Sequence, residues 1–172
     1  MNRALPPAER AELVLKQLTL DEKIALLHGN GMAHVPNWQM PLTALTNGGA
    51  GAVEGVKRLG IPPIVMSDAA YGVRDSGANG RYSTALPSVL GAASSWDAES
   101  ACAYGDLIAR ELRAQGFNMG LGGGVNLTRE PRNGRSFEYA GEDPLLAGTM
   151  VGNEMKCLQA QHVIGDIKHY AL

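Results

Sequence analysis

The sequence predicts a parallel α/β fold, and three observations carry that expectation. Short apolar runs alternate with longer segments whose apolar residues recur at helical spacing. Each strand-like run empties into a polar or glycine-rich cluster, the pattern expected at the working face of such a sheet. The largest cluster is the stretch 119–144, MGLGGGVNLTREPRNGRSFEYAGEDP. Its glycines lose much conformational freedom on folding, and its loop is crowded with charge, so it is a poor passive connector. About four strand signals fall within 172 residues. A closed eight-stranded barrel takes roughly 250, so as a barrel this chain is about half of one.

Composition narrows the function classes. Apolar residues make up 45% and charged residues 19% of the chain, an ordinary globular profile with enough length for a core. The net charge is −2 and no basic stripe is present, which argues against a nucleic-acid partner. No apolar run reaches the roughly 18 residues of a membrane span, so no membrane partner is expected. The opening MNRALPPAER has no apolar core of the signal-peptide kind. Cys102 and Cys157 both fall in predicted helices and are expected to be buried thiols, neither a metal site nor a disulfide framework. The four histidines show no ligand spacing. Neither a metal nor a cofactor is expected.

Taken in order, the chain opens with a helix over 8–18, where Ala11, Val14, Leu15 and Leu18 share a face. Thr19 and Glu22 have capping-box spacing, which starts a second helix that runs to His28 and stops at Gly29. The stretch 29–60 is irregular, and Trp38 within it either pins the loop or offers a ligand an aromatic platform. IPPIVM, 61–66, reads as a buried strand that ends at Ser67 and Asp68. A short strand is expected within 87–93. Ser95 or Asp97 then caps a helix with Ala101, Tyr104, Ile108 and Leu112 on one face, and Gly116 stops it. Residues 117–119 read as a strand entering the glycine run. Asp143 and Pro144 start a last helix, with Ala147, Val151, Met155 and Leu158 buried. A strand over 162–167 ends in Lys168 and His169.

On this reading Asp68, Asn126, Arg135, Lys168 and His169 all follow strands and converge on one face. Guanidinium donors and carboxylate acceptors are the groups that hold vicinal hydroxyls or an acid. A phosphate-cradling loop is the weaker alternative for GLGGGV. It lacks G-x-G-x-x-G spacing, since Val125 stands where the last glycine is needed, and no helix opens after it.

Four motifs carry a family resemblance: LGIPPIVMSDAAYGVR, TALPSVLGAASSWD, MGLGGGVNLTREPRNGRSFEYAGEDPLLAG and IKHYAL. In this order they resemble the N-terminal barrel domain of glycoside hydrolase family 3, the β-glucosidase type, over roughly residues 10–172. The resemblance implies α/β architecture and the first part of a TIM-like (β/α)8 barrel, incomplete in this chain. Residues 1–60 would form helices and a lead-in loop, and 61–172 the first βα units. It implies a retaining, exo-acting β-glucosidase that takes a β-glucoside or short oligosaccharide. Asp68, Arg135, Lys168 and His169 resemble the residues that grip the terminal sugar. SDAAYG departs from the family's usual SDG-P-HG, with Ala69 and Tyr71 in place of glycine and histidine. KHYAL lacks the form associated with N-acetylglucosaminidases, which favours glucose or xylose. The family's nucleophile and acid/base lie well past the KH motif. Both are therefore expected beyond Leu172, and no catalytic residue is expected in this chain. The remainder of the same polypeptide is the expected partner, since this part alone should be inactive. A non-catalytic carbohydrate-binding module with the same pocket is the main alternative, and a Schiff-base enzyme using Lys168 is a third. Localisation stays open: periplasmic or secreted by resemblance, cytoplasmic if Met1 is the native start.

Overall fold

A computed structural model describes residues 4–29, 46–74 and 81–170. Trp38 lies outside the described residues. So does Leu172, the position beyond which the nucleophile and acid/base are expected. In chain order the elements are α1 (Pro7–Leu15), α2 (Leu20–Ala25), β1 (Gly51–Val53), a 3-10 turn (Lys57–Leu59) and β2 (Ile64–Asp68). There follow α3 (Val89–Ala93), α4 (Ala98–Ala114), β3 (Met119–Leu121), a 3-10 turn (Ser136–Glu138), α5 (Pro144–Ala160) and β4 (Ile164–Gly165).

The strands form one sheet in the order β1-β2-β3-β4. β2, β3 and β4 run parallel, with Met66 opposite Met119 and Met119 opposite Ile164. An isolated bridge from Gly124 to Lys168 continues that direction past the strand ends. The C-terminal tips of all three parallel strands therefore open on the same side.

The sheet is mixed rather than purely parallel, because β1 pairs antiparallel with β2, Gly51 facing Met66. This strand falls in the stretch read as irregular. Its three residues, Gly-Ala-Val, are too short to show alternation, and only pairing with β2 makes them a strand. The second correction is α3, expected as a strand. Ser88 caps it, its side chain accepting from the Gly91 N–H at 3.1 Å, and Val89 and Ala93, one turn apart, are both buried. β3 also starts later than expected. Before it, Asn118 stands in for strand pairing: its Oδ1 accepts from the Val65 N–H at 2.7 Å, and its Nδ2 donates to the Pro63 carbonyl at 2.9 Å.

α4 and α5 begin where their caps predict. Asp97 accepts from the Glu99 N–H and Asp143 from the Leu146 N–H. Their apolar stripes, Ile108, Leu112, Val151 and Leu158, are fully buried between the two helices and the sheet. Each such side chain is worth about 1.5–3 kcal/mol.

Cys102 and Cys157 are not free thiols. They form a disulfide between α4 and α5, with Cα atoms 5.2 Å apart. The sequence separation of 55 hides this pairing. Successive crossovers of the same hand lay consecutive helices side by side on one face of the sheet, which brings the two cysteines together.

The capping box at Thr19 is present, and Arg58 ties α2 to the body through Glu22, 2.6 Å from its Nε. Neither α1 nor α2 buries a residue. Among the described residues no helix is long and apolar enough to cross a membrane.

Candidate functional site

At the C-terminal tips of β2, β3 and β4 lies a cavity of about 550 Å³. Asp68, Tyr71, Arg135, Phe137, Glu138 and Lys168 are among its lining residues.

Asp68 is the last residue of β2. The chain turns back on itself after it: Arg74 N–H donates to the Asp68 carbonyl at 2.8 Å, and the buried Ser67 hydroxyl donates to the Arg74 carbonyl at 2.6 Å. Asp68 thus stands on a pinned strand end.

The glycine run allows three loops to stack. Gly123 has φ +67, in the left-handed region, and a Cβ there would overlap the Asp166 carbonyl oxygen. A Cβ on Gly124 would overlap the Glu138 carbonyl oxygen. With neither present, Val125 N–H donates to the Lys168 carbonyl at 2.8 Å and Lys168 N–H to the Gly123 carbonyl at 3.1 Å. The Lys168–His169 peptide is cis. Asn126, buried beside it, accepts from the His169 N–H at 2.6 Å.

The side chains form a connected polar set. Lys168 Nζ lies 3.9 Å from Asp68 Oδ1 and 3.9 Å from Glu138 Oε2. Arg135 Nε pairs with Glu138 Oε1, and this pairing holds the guanidinium above its ordinary value. Arg135 Nη2 is 3.1 Å from His169 Nε2, and Tyr139 Oη is 3.0 Å from His169 Nδ1. Arginine has only donors, so Nε2 is the acceptor and the ring proton sits on Nδ1, aimed at Tyr139. His169 orients Arg135 from the side and is not among the groups on the cavity wall.

The structure therefore brings Asp68, Arg135 and Lys168 onto one cavity, with His169 behind Arg135. Sequence reasoning treated Glu138 as an ion-pair partner or cap. It is an ion-pair partner, but its reach across Arg135 and Lys168 at once was not foreseen, and its spacing of three from Arg135 was the one available sign. Tyr139 and Phe137 gave no sign beyond their aromatic character, whereas the cavity-lining Tyr71 had stood out as the residue in place of the histidine of the SDG-P-HG pattern. Among the described residues no group of three or more His, Cys, Asp or Glu is placed to hold a metal ion.

Comparison with known proteins gives a consistent result. The sequence profile of the glycosyl hydrolase family 3 N terminal domain matches residues 30–171. Thermostable beta-glucosidase B of Acetivibrio thermocellus is 32% identical over 166 residues, spanning 92% of this chain and 20% of that protein. A beta-glucosidase of Bacteroides ovatus is 34% identical over 97% of this chain and 21% of its own length. Among solved structures, beta-glucosidase 3B from Thermotoga neapolitana in complex with α-D-glucose superposes with a TM-score of 0.83 at 34% identity, over 95% of this chain and 23% of that one. The chain thus spans about a fifth of the length of the curated relatives it matches.

Proposed function

The chain belongs to the glycosyl hydrolase family 3 N-terminal domain family, and on that premise we propose that its cavity is the terminal-sugar subsite of a retaining, exo-acting β-glucosidase. Residues 61–172 would supply the first βα units of the barrel that carries it. The observation that carries the reading is the convergence of Asp68, Arg135 and Lys168 on one cavity at the strand tips. A carboxylate flanked by fixed cationic donors suits a neutral ligand with neighbouring hydroxyls: the acid accepts while lysine and arginine donate. His169 keeps Arg135 aimed. Relatives whose structures hold glucose support the choice of sugar.

We assign the nucleophile and the acid/base to residues other than these, in line with their expected place beyond Leu172. Retaining hydrolysis uses two carboxyl groups about 5–5.5 Å apart, one nucleophilic and one a proton donor. Asp68 and Glu138 are the carboxylates lining the cavity among the described residues. Glu138 is committed to Arg135 and Lys168, and its side chain is only 8% exposed. Asp68 is left to bind. Lys168, held between two carboxylates, suits a hydroxyl donor better than a Schiff-base amine. The same lack of a free carboxylate pair keeps a purely sugar-binding module as the second reading.

The test is Asp68→Ala in the full polypeptide, assayed on an aryl β-glucoside and by glucose titration. Charged hydrogen bonds are worth roughly 1.5–3 kcal/mol each, and one carboxylate can make two. We expect a loss of several kcal/mol in kcat/KM together with weaker glucose binding. Near-normal kinetics would sink the assignment. Glucose binding without turnover in the unmutated polypeptide would favour the sugar-binding module.

A further inference from the structure

An asparagine side-chain amide is within reach of the next residue's backbone nitrogen, and glycine in that place carries no side chain to block the approach. The chain holds asparagine–glycine pairs at Asn30, Asn47, Asn79 and Asn133, of which those at Asn47 and Asn133 lie in the described residues. The structure treats these two differently. Asn47 is half-buried and held at both ends of its amide: Nδ2 donates to the Gln115 carbonyl at 2.7 Å, and Oδ1 accepts from Arg81 Nη2 at 3.1 Å. Asn133 and Gly134 are both exposed. Asn133 Oδ1 accepts from the Arg135 N–H at 2.9 Å, which fixes the orientation of the amide and turns Nδ2 to solvent. Among the described residues nothing accepts from the Gly134 N–H. A Cβ built on Gly134 would meet no atom within 4 Å, so the space around its nitrogen is open.

That arrangement suits an intramolecular attack. The Arg135 N–H already sits on Oδ1, where negative charge develops as Cγ becomes tetrahedral, so it acts as an oxyanion donor. The Gly134 nitrogen gives its proton to solvent and bonds to Cγ. The Cγ–Nδ2 bond then breaks, and Nδ2 takes a proton and leaves as ammonia. The product is a succinimide, which water opens at either carbonyl. Opening at Cγ leaves aspartate. Opening at the former backbone carbonyl leaves isoaspartate, with the main chain now running through the side-chain carbon. Water enters and ammonia leaves, with nothing oxidised or reduced. The isoaspartyl link adds a methylene to the main chain directly ahead of Arg135. It also disturbs the start of the 3-10 turn, where the Ser136 N–H donates to the Asn133 carbonyl at 3.2 Å. Arg135 reaches Glu138 and His169 from this segment.

We propose that Asn133 is a site of spontaneous deamidation through a succinimide with Gly134, and that the isoaspartate formed there pulls Arg135 out of its place on the cavity. The modification stands on the exposed, unblocked pair itself, whereas its effect on a ligand rests on the terminal-sugar reading. The full polypeptide is aged in mildly alkaline buffer, sampled at intervals and digested. Peptide mass and isoaspartate content are read at Asn47 and Asn133, and glucose is titrated into the same samples. Asn133 should convert at least about tenfold faster than Asn47, where two hydrogen bonds must open first. Gly134→Ala, which the open space accommodates, should suppress the conversion by shielding the attacking nitrogen. Glucose affinity of the converted fraction should fall about tenfold, as expected for one charged hydrogen bond lost. Gly134→Ala aged alongside should keep the affinity of fresh protein, which also shows that ageing has not unfolded the chain. The proposal is overturned if Asn133 stays asparagine, if it converts no faster than Asn47, or if Gly134→Ala converts as fast as the unmutated protein. Conversion at Asn133 with unchanged glucose affinity overturns the effect on Arg135. Fresh protein that binds no glucose overturns the terminal-sugar reading, while the mass and isoaspartate readings still decide the modification.

Discussion

Glu154 projects from α5 into the core with 5% of its surface exposed, and its Oε1 has no hydrogen-bond partner. Its neighbours around a small internal void are Val89, Ala93, Ala101, Tyr104, Met150 and Val151. Burial pushes its carboxyl up to about 7 from an ordinary 4.5, and no neighbouring cation offsets that. Tyr104, the ionisable group facing it, is itself held neutral by burial and by Glu154. The sign follows from which state holds the proton longer. Below about 4.5 both folded and unfolded chains carry it, and the full stability is present. Between there and about 7 the unfolded chain releases it first, so stability falls by about 1.4 kcal/mol per pH unit, about 3 kcal/mol in all. Denaturant titrations at pH 5 and pH 8 should show that loss, and Glu154→Gln should remove most of it. An equal slope in the variant would mean that the carboxyl is not the source. The sequence places Glu154 on a helix but does not say that it faces inward, because one acid in an apolar stripe looks like any edge residue. Asp68 and Lys168 were legible for the opposite reason: each ends a strand run, and strand direction brings such ends together, whereas His169, read as part of the same grip, turns to Arg135 and Tyr139 and lies off the cavity wall.

The long helices were the most legible elements. α4 and α5, of 17 residues each, show several turns of periodicity and an acidic cap at the start. β1 and α3, with three and five residues, are shorter than any pattern that could reveal them, and tertiary pairing decides their state. The disulfide between α4 and α5 was illegible because it depends on helix adjacency, which local sequence does not encode. Its closure of a long loop should contribute roughly 2–4 kcal/mol, mainly by restricting the unfolded chain. Thermal unfolding with and without a reductant should show a lower Tm once the bond is reduced. The double substitution Cys102→Ala/Cys157→Ala should match the reduced protein and lose its sensitivity to reductant. An unshifted Tm in both would mean that helix packing alone holds the pair.

At the scale of the whole molecule, four strands make an open sheet with β1 and β4 at its edges among the described residues. Ile164 and Ile167 near the β4 edge are exposed, as are Leu13, Leu15, Leu20, Ile24 and Leu27 on and beside α1 and α2. Such edges and faces favour pairing with another chain. Residues 1–172 expressed alone should therefore self-associate, as seen by light scattering after size exclusion, and should leave a chromogenic β-glucoside intact. A monomeric, cooperatively unfolding and active product would overturn both expectations. The strand count agrees only because two misreadings cancel, the signal at 87–93 being α3 and β1 having been read as irregular loop; which faces lie bare was not legible, since it depends on what packs where. The Cys102–Cys157 link has one more consequence here. The solvent-facing stretch 129–135, with three arginines, lies inside the covalent loop that the link closes. A protease that cuts the backbone there leaves both halves tethered through α4 and α5, so Asp68 on one side of the break and Lys168 on the other stay parts of a single molecule.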